Sequence, residues 1–416
     1  MKINTNPVRG TYDYAPRQAE LREEVRQKIL NCYQKNGFSL IQTPILENLS
    51  LLNSSDGGDN LRLMFKTIKR GDKLDLSKPD LTENDITEEG LRYDLTVPLA
   101  RFYANNREKL PNPFKAIQID YSFRAERPQK GRDRQFIQCD IDEFGDDSVE
   151  AEIDVLSTGM SGFEALGFTD LTVKINSKEI LNQITAHFGY KSDETASVCI
   201  SLDKFDKIGV DGVLQELQTK FPDDRCKMLV SAIENVKNGD INTLLKYGVE
   251  ASSVERINTI LTALNDLYKD KKFDYKFVYD ISIVRGQGYY TGVVYEVYCK
   301  DLRGAIGAGG RYDKMIEKLI GTSVPAVGFS IGFAPVCMLL EEKGVSFSTN
   351  NKLALVYNEG EFSKAFKVKQ NLINDYKVSL YKKPKNLKAL LEKLKFVGYD
   401  KFAFCDDTFE INIKNI

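Results

Sequence analysis

The sequence predicts an α+β protein: an antiparallel sheet flanked by helices, with a helical insertion and a small α/β C-terminal domain. Three observations carry this. A long amphipathic helix precedes alternating strand-like segments joined by a short cation-rich loop. A stretch from 177 to 270 is mostly helical, charged and poor in motifs. Beyond a polar linker, the remainder to Ile416 reads β-α-β.

At 416 residues the chain exceeds one ordinary core, so two or three domains are expected. The boundaries read as 1–345 for the larger domain and 346–416 for the smaller. Residues 1–15 carry turn chemistry in Asn6-Pro7 and Arg9-Gly10-Thr11. The spacing of Leu21, Val25, Ile29 and Cys32 predicts a helix from Arg17 to Asn36, with Gly37 as its stop. Phe38 to Leu46 reads as a strand interrupted by Pro44, which places it at a sheet edge or an interface, because proline cannot donate to a ladder. Polar, glycine-punctuated text from Asp56 to Gly90 reads as a flexible, solvated insertion. Strands are expected over Leu91–Phe102, Phe114–Arg124 and Arg134–Phe144, then a helix over 150–166 and a strand at Leu171–Asn176. In the third strand, period-two alternation puts Gln138, Asp140 and Asp142 on one face.

Composition excludes several classes of function. The formal net charge is −2, so no global basic field announces nucleic acid, and any RNA contact must come from local patches. Seven scattered cysteines without a CxxC pair argue against a disulfide framework and a zinc site, and no metal ligand set is expected. His187 is the sole histidine and reads as structural or surface, near a helix end. The N-terminus has no apolar signal core, and no apolar run approaches the ~20 residues that span a bilayer. A cytoplasmic location without membrane partners is the expectation.

The polar chemistry concentrates in Phe123-Arg124-Ala125-Glu126-Arg127-Pro128-Gln129-Lys130-Gly131-Arg132-Asp133-Arg134-Gln135-Phe136. Arg124 near a strand end can fork onto a phosphate, Glu126 can accept from an exocyclic amine, and Phe136 can stack on a base. A generic basic hairpin would be a solvated turn, but this wording is more particular. It resembles motif 2 of class II aminoacyl-tRNA synthetases in its histidyl-tRNA synthetase version. Arg9-Gly10-Thr11-x-Asp13 is similar to that family's N-terminal signature, and the Pro44 segment to motif 1, the dimer-interface strand. Leu91-Arg92-Tyr93-Asp94-Leu95-Thr96-Val97-Pro98 resembles its amino-acid-binding strand, and Val284-Arg285-Gly286-x-x-Tyr289-Tyr290-Thr291-Gly292 its histidine signature. Gly309-Gly310-Arg311-Tyr312-Asp313 and Pro325 to Gly332 match the approach to motif 3.

The resemblance covers roughly residues 1–340 and implies a class II catalytic fold that activates histidine with ATP and charges its tRNA, as a homodimer. By family pattern, Asp94, Leu95 and Thr96 bind histidine with Gln138, Asp142, Tyr289 and Tyr290. Arg124 and Arg285 are the catalytic cations, while Arg124, Glu126, Arg132 and Phe136 bind ATP, with Mg2+ as the phosphate counterion. From chemistry alone, an imidazole calls for an acceptor and a donor on facing walls. The chain departs from the pattern in two places. Pro335 stands where motif 3 carries an arginine, and Gln287-Gly288 stands for leucine and aspartate. The C-terminal domain resembles a shortened anticodon-binding domain. The alternative is a catalytically altered paralogue that binds histidine as a sensor or regulatory subunit, or activates an amino acid without tRNA.

Overall fold

The computed structural model describes residues 3–54, 58–127, 133–221, 224–284, 288–347, 351–405 and 411–416. Two compact units emerge: one of residues 8–11 and 26–339, the other of 1–7, 12–25 and 340–416.

The leading helix α1 (Pro16–Lys35) runs into Gly37, whose φ of +87° is the left-handed conformation that ends a helix at little cost to glycine. The Pro44 segment is mostly not strand. β1 (Ser39–Leu40) is two residues long and pairs parallel to β5 at the sheet edge, and β2 (Leu46–Asn48) joins another sheet. Helix α2 (Leu49–Ser54) follows. The polar stretch expected to be a solvated insertion is partly ordered as β3 (Lys66–Ile68), α3 (Glu83–Ile86) and β4 (Thr87–Leu91), giving a three-stranded sheet β2-β4-β3. Thr82 and Asp85 form a reciprocal capping box that fixes the turn before β4, so local polar chemistry orders a segment its composition leaves open.

The strand expected over Leu91–Phe102 is corrected: it stops at Leu91, and Thr96–Asn106 is helix α4. Asp94 Oδ1 accepts from Val97 N at 3.1 Å, which satisfies a first-turn donor, and Pro98 sits where a missing N–H costs nothing. Local capping overrides the apolar run.

The main sheet has eight strands in the order β1-β5-β6-β11-β10-β9-β7-β8. These are β5 (Phe114–Phe123), β6 (Gln135–Phe144), β7 (Asp170–Ser177), β8 (Asp274–Tyr279), β9 (Val293–Tyr298), β10 (Gly307–Arg311) and β11 (Ala326–Gly332). Among the described residues the centre is antiparallel, and only the edge pairs β1/β5 and β7/β8 are parallel. Helix α5 (Val149–Ala165) packs on the sheet where Gly159 leaves room for the Phe329 ring. A Cβ at Gly159 would lie 2.5 Å from that ring. From Lys178 to Tyr268 the chain is helical: α6 (Lys178–His187), α7 (Ser192–Leu202), α8 (Phe205–Lys220), α9 (Arg225–Lys237) and α10 (Ala251–Tyr268). His187 is the last residue of α6 and stacks edge-on to Phe188.

Helices α11 (Lys314–Ile320) and α12 (Phe333–Glu342) flank β11. Pro335 occupies the third position of α12, inside the first turn where no intrahelical donor is lost. The second unit carries β12 (Lys352–Tyr357), α13 (Phe362–Leu372), β13 (Lys377–Lys382), α14 (Leu387–Phe396), β14 (Lys401–Phe404) and β15 (Lys414–Asn415), with sheet order β13-β12-β14-β15. Its parallel β12 is buried from Lys352 to Val356 between cores around Leu355 and around Ala354 with Leu394. No helix among the described residues is long and apolar enough to cross a membrane.

Candidate active site

A cavity of about 680 Å³ opens over the antiparallel centre of the main sheet. Its floor follows from register. Directly opposed residues share a face, and Gln138, Asp140 and Asp142 on β6 stand across from Gly332, Ser330 and Gly328 on β11. Gly328 in turn faces Gly310 on β10, and Ser330 faces Ala308. Small residues on β10 and β11 therefore leave the polar side chains of β6 uncovered. The space is fully committed: a Cβ at Gly328 would fall 2.0 Å from Asp142 Oδ1, and one at Gly310 2.5 Å from Val293 O. The other face of the same strands is packed by Tyr295 and Phe329, whose rings stack at 5.9 Å.

The polar wall is unusual in what it lacks. Among the described residues, four buried acceptor atoms here have no hydrogen-bond partner: Asp94 Oδ2, Gln138 Oε1, Asp140 Oδ1 and Asp142 Oδ2. Each side chain is held by its other end. Asp94 Oδ1 caps α4, Gln138 Nε2 donates to Asp140 Oδ2 at 3.2 Å, Ser330 stands directly opposite Asp140 in register, and the Tyr312 hydroxyl donates to Asp142 Oδ1 at 2.5 Å. Burial pushes the Asp94 carboxyl up to about 6, partly offset by the Val97 N–H and by Arg124. Burial likewise pushes Asp142 up to about 7, eased by the Tyr312 bond. Asp140 is raised by burial and then by Asp142 beside it. Three carboxylates lie within electrostatic reach of one another with little cationic or N–H compensation, an arrangement chemically suited to a ligand rich in N–H donors.

Arg124 supplies the opposite character. Its Nε donates to Tyr93 O at 2.9 Å, and its guanidinium lies 5.0 Å over the Phe136 ring. Arg124 N bonds Arg134 O, and Arg134 N bonds Gly10 O, so the N-terminal signature buttresses the β5–β6 hairpin end. Anchored through Nε, the planar fork is pre-set for an anionic oxygen.

The predicted residues are placed as follows. Thr96, Arg124, Glu126, Phe136, Gln138, Asp142, Tyr289 and Tyr290 line one cavity. Asp94 is buried and not among the lining residues, but lies within electrostatic reach of Asp140 and Asp142. Leu95 does something else: its side chain is fully buried and its carbonyl accepts from Gln118 Nε2 at 2.8 Å, so it secures α4 to β5. Tyr289 packs on Tyr290 at 4.8 Å and edge-on to Tyr312 at 5.9 Å. Arg285 and Arg132 lie outside the described residues.

Sequence reading assigned no role to Asp140, Ser330, Tyr312, Glu296 or Asp203, which also line the cavity. Alternation had put Asp140 on the correct face. Asp203 follows α7 in the helical stretch and has no motif around it. Neighbouring basic residues are structural. Arg92 is fully buried, with NH1 on Thr43 O at 2.8 Å and Nε on Tyr121 O at 2.7 Å. Arg311 and Arg256 clamp the buried Glu152 carboxylate at 2.7 and 2.6 Å. Among the described residues no cluster of three His, Cys, Asp or Glu side chains is arranged to hold a metal ion.

Known proteins resemble this chain over most of its length. The histidyl-tRNA synthetase family profile matches residues 10–336. The histidine–tRNA ligase of Leifsonia xyli is 36% identical over 415 residues, spanning 96% of this chain and 95% of that protein. That of Cytophaga hutchinsonii is 34% identical over 400 residues, spanning 92% and 88%. The crystal structure of histidyl-tRNA synthetase from Nostoc sp. PCC 7120 superposes with a TM-score of 0.75 at 25% identity, covering 97% of this chain and 91% of that one. A match through every sequence block that builds the cavity, over nearly the full length of both chains, means that this chain belongs to the histidyl-tRNA synthetase family.

Proposed function

We propose that the chain activates histidine with ATP and transfers the histidyl group to tRNA(His), working as a cytoplasmic homodimer. The observation that carries this is one cavity with the unpartnered buried acceptors of Gln138 and Asp142 on one wall, Asp94 within electrostatic reach of them, and the Arg124 fork on another. An amino acid with an ammonium group and ring N–H donors satisfies the first, and a phosphate the second.

Asp94 and Thr96 take the α-ammonium group, Gln138 and Asp142 the imidazole, and Tyr289 with Tyr290 closes over the ring. The carboxylate of histidine then attacks the α-phosphorus of ATP. A carboxylate–phosphorus bond forms, the bond to pyrophosphate breaks, and no general base is needed. Arg124 stabilises charge on the α-phosphate, a role that the family resemblance gives to Arg285 as well. Phe136 supports the adenine and Glu126 accepts from its exocyclic amine. Arg132 binds the phosphates, and ATP enters as its magnesium complex. In the second step a ribose hydroxyl of the tRNA attacks the acyl carbonyl and AMP leaves. The Lys-rich C-terminal unit contacts the tRNA.

Support for a homodimer comes from Leu40, Ile45 and Leu46, each more than a third exposed in the segment similar to motif 1. The test is charging of total tRNA with each of the twenty amino acids. Histidine alone should be accepted; charging with none of them contradicts the proposal.

Pro335 on the cavity wall favours one other reading, in which histidine binds but ATP is not turned over. Melting temperatures separate the two. A synthetase is stabilised further by ATP–magnesium, whereas a histidine receptor is not.

A further inference from the structure

We propose that Asp140 is a positioning residue that fixes the Gln138 amide with its nitrogen turned inward and its oxygen toward the cavity. Gln138 thereby presents an acceptor, and the pocket selects side chains that offer an N–H there. The inference rests on the histidine-binding reading of this cavity.

A glutamine amide has a donor end and an acceptor end of nearly the same shape, so its orientation is set only by its partners. Here, among the described residues, the contact that decides it is Gln138 Nε2 to Asp140 Oδ2, at 3.2 Å. Oε1 is buried without a partner. Asp140 is 4% exposed, two residues along the same strand face, and stands in register with Ser330 on β11. A carboxyl can receive the amide nitrogen but cannot present a second N–H to the cavity. The contact does not depend on the charge of Asp140, because a neutral carboxyl keeps its carbonyl oxygen as acceptor. Without Asp140 the amide is released to turn its NH2 outward. The same site would then meet a ring N–H with a donor, leaving both unsatisfied.

The same device recurs around the pocket. Tyr312 occupies Asp142 Oδ1 and leaves Oδ2 to the ligand, and Val97 N occupies Asp94 Oδ1 and leaves Oδ2. Asp140 is the member that does this for a group that would otherwise be indifferent to orientation.

The experiment is a double-mutant cycle on the full-length protein with Asp140→Leu, Gln138→Leu and the double variant. Histidine Kd is read by calorimetry, and kcat and ATP KM by pyrophosphate exchange. Asp140→Leu should weaken histidine binding tenfold or more, with kcat at saturating histidine and ATP KM within about threefold of wild type. Asp140→Asn, which keeps an acceptor, should restore histidine binding to within about threefold. In the Gln138→Leu background, Asp140→Leu should add less than about threefold. Should leucine not be accommodated, Asp140→Ser withdraws the acceptor with less bulk and repeats the test. Equal losses in Asp140→Leu and Asp140→Asn, or additive losses in the cycle, overturn the positioning role. If Gln138→Leu itself leaves histidine affinity unchanged, it is the histidine-binding reading that fails.

Discussion

Replacing Asp142 by asparagine should make the ligand-free protein more stable at pH 8 while abolishing its response to histidine. The Asp142 carboxyl is fully buried, with Oδ1 bonded to Tyr312 and Oδ2 unpartnered, and burial pushes it up to about 7. Set against an ordinary aspartate near 3.9, that displacement corresponds to ~4 kcal/mol disfavouring the ionised form inside the fold. Because the folded-state value lies above the unfolded one, the native state holds more protons between about pH 4 and 7. Its stabilisation is complete below the unfolded value and is lost as pH rises through about 7. Asparagine removes the charge and keeps an oxygen for the Tyr312 hydroxyl. Relaxation and the neighbouring Asp140 and Asp94 reduce the return, so a gain of ~1–3 kcal/mol at pH 8 is expected, falling to roughly a third of that at pH 5. Urea unfolding of both ligand-free proteins at the two pH values measures it, and millimolar histidine should raise the wild-type midpoint only. A variant less stable than wild type at pH 8, or a gain independent of pH, would refute the reasoning.

Four further outcomes follow from the same geometry. Arg124→Ala should lower adenylate formation by two orders of magnitude or more, ~3 kcal/mol, with a smaller effect on histidine Kd; single-turnover kinetics and calorimetry separate the two. Gly328→Ala places a methyl group 2.0 Å from Asp142 Oδ1, so histidine affinity should fall at least tenfold while ATP affinity changes less, read by calorimetry. Glu152→Ala strands the buried Arg311 guanidinium and should cost ~3–5 kcal/mol in urea unfolding. Pro335→Arg should lower ATP KM in pyrophosphate exchange and soften its magnesium dependence, because the third position of α12 makes no intrahelical donor bond that the exchange would alter.

How much the sequence disclosed depended on the range of the interaction involved. Period-two alternation in Phe136 to Asp142 placed Gln138, Asp140 and Asp142 on one face because that signal is local to a strand. The leading helix and its Gly37 stop were legible for the same reason. The apolar run after Leu91 misled. Whether it becomes strand or helix turns on one carboxylate oxygen of Asp94 meeting Val97 N, which hydrophobic pattern does not encode. Leu95 shares a motif with true cavity residues, yet its carbonyl serves Gln118 on a strand more than twenty residues away. Long-range partnerships were invisible. Tyr312 reaches Asp142 across 170 positions, and Arg311 reaches Glu152 across 159. Glycines at 310 and 328 were visible as motif letters, but only strand register explains why a Cβ there would close the pocket.

The central claim is that this cavity joins histidine to the α-phosphate of ATP, and the most direct measurement is amino-acid-dependent ATP–pyrophosphate exchange across all twenty amino acids. The account predicts exchange with histidine, at a rate at least a hundredfold above any other amino acid, and its loss in Arg124→Ala. Exchange driven by a different amino acid, or none at saturating ATP–magnesium and histidine, would contradict it.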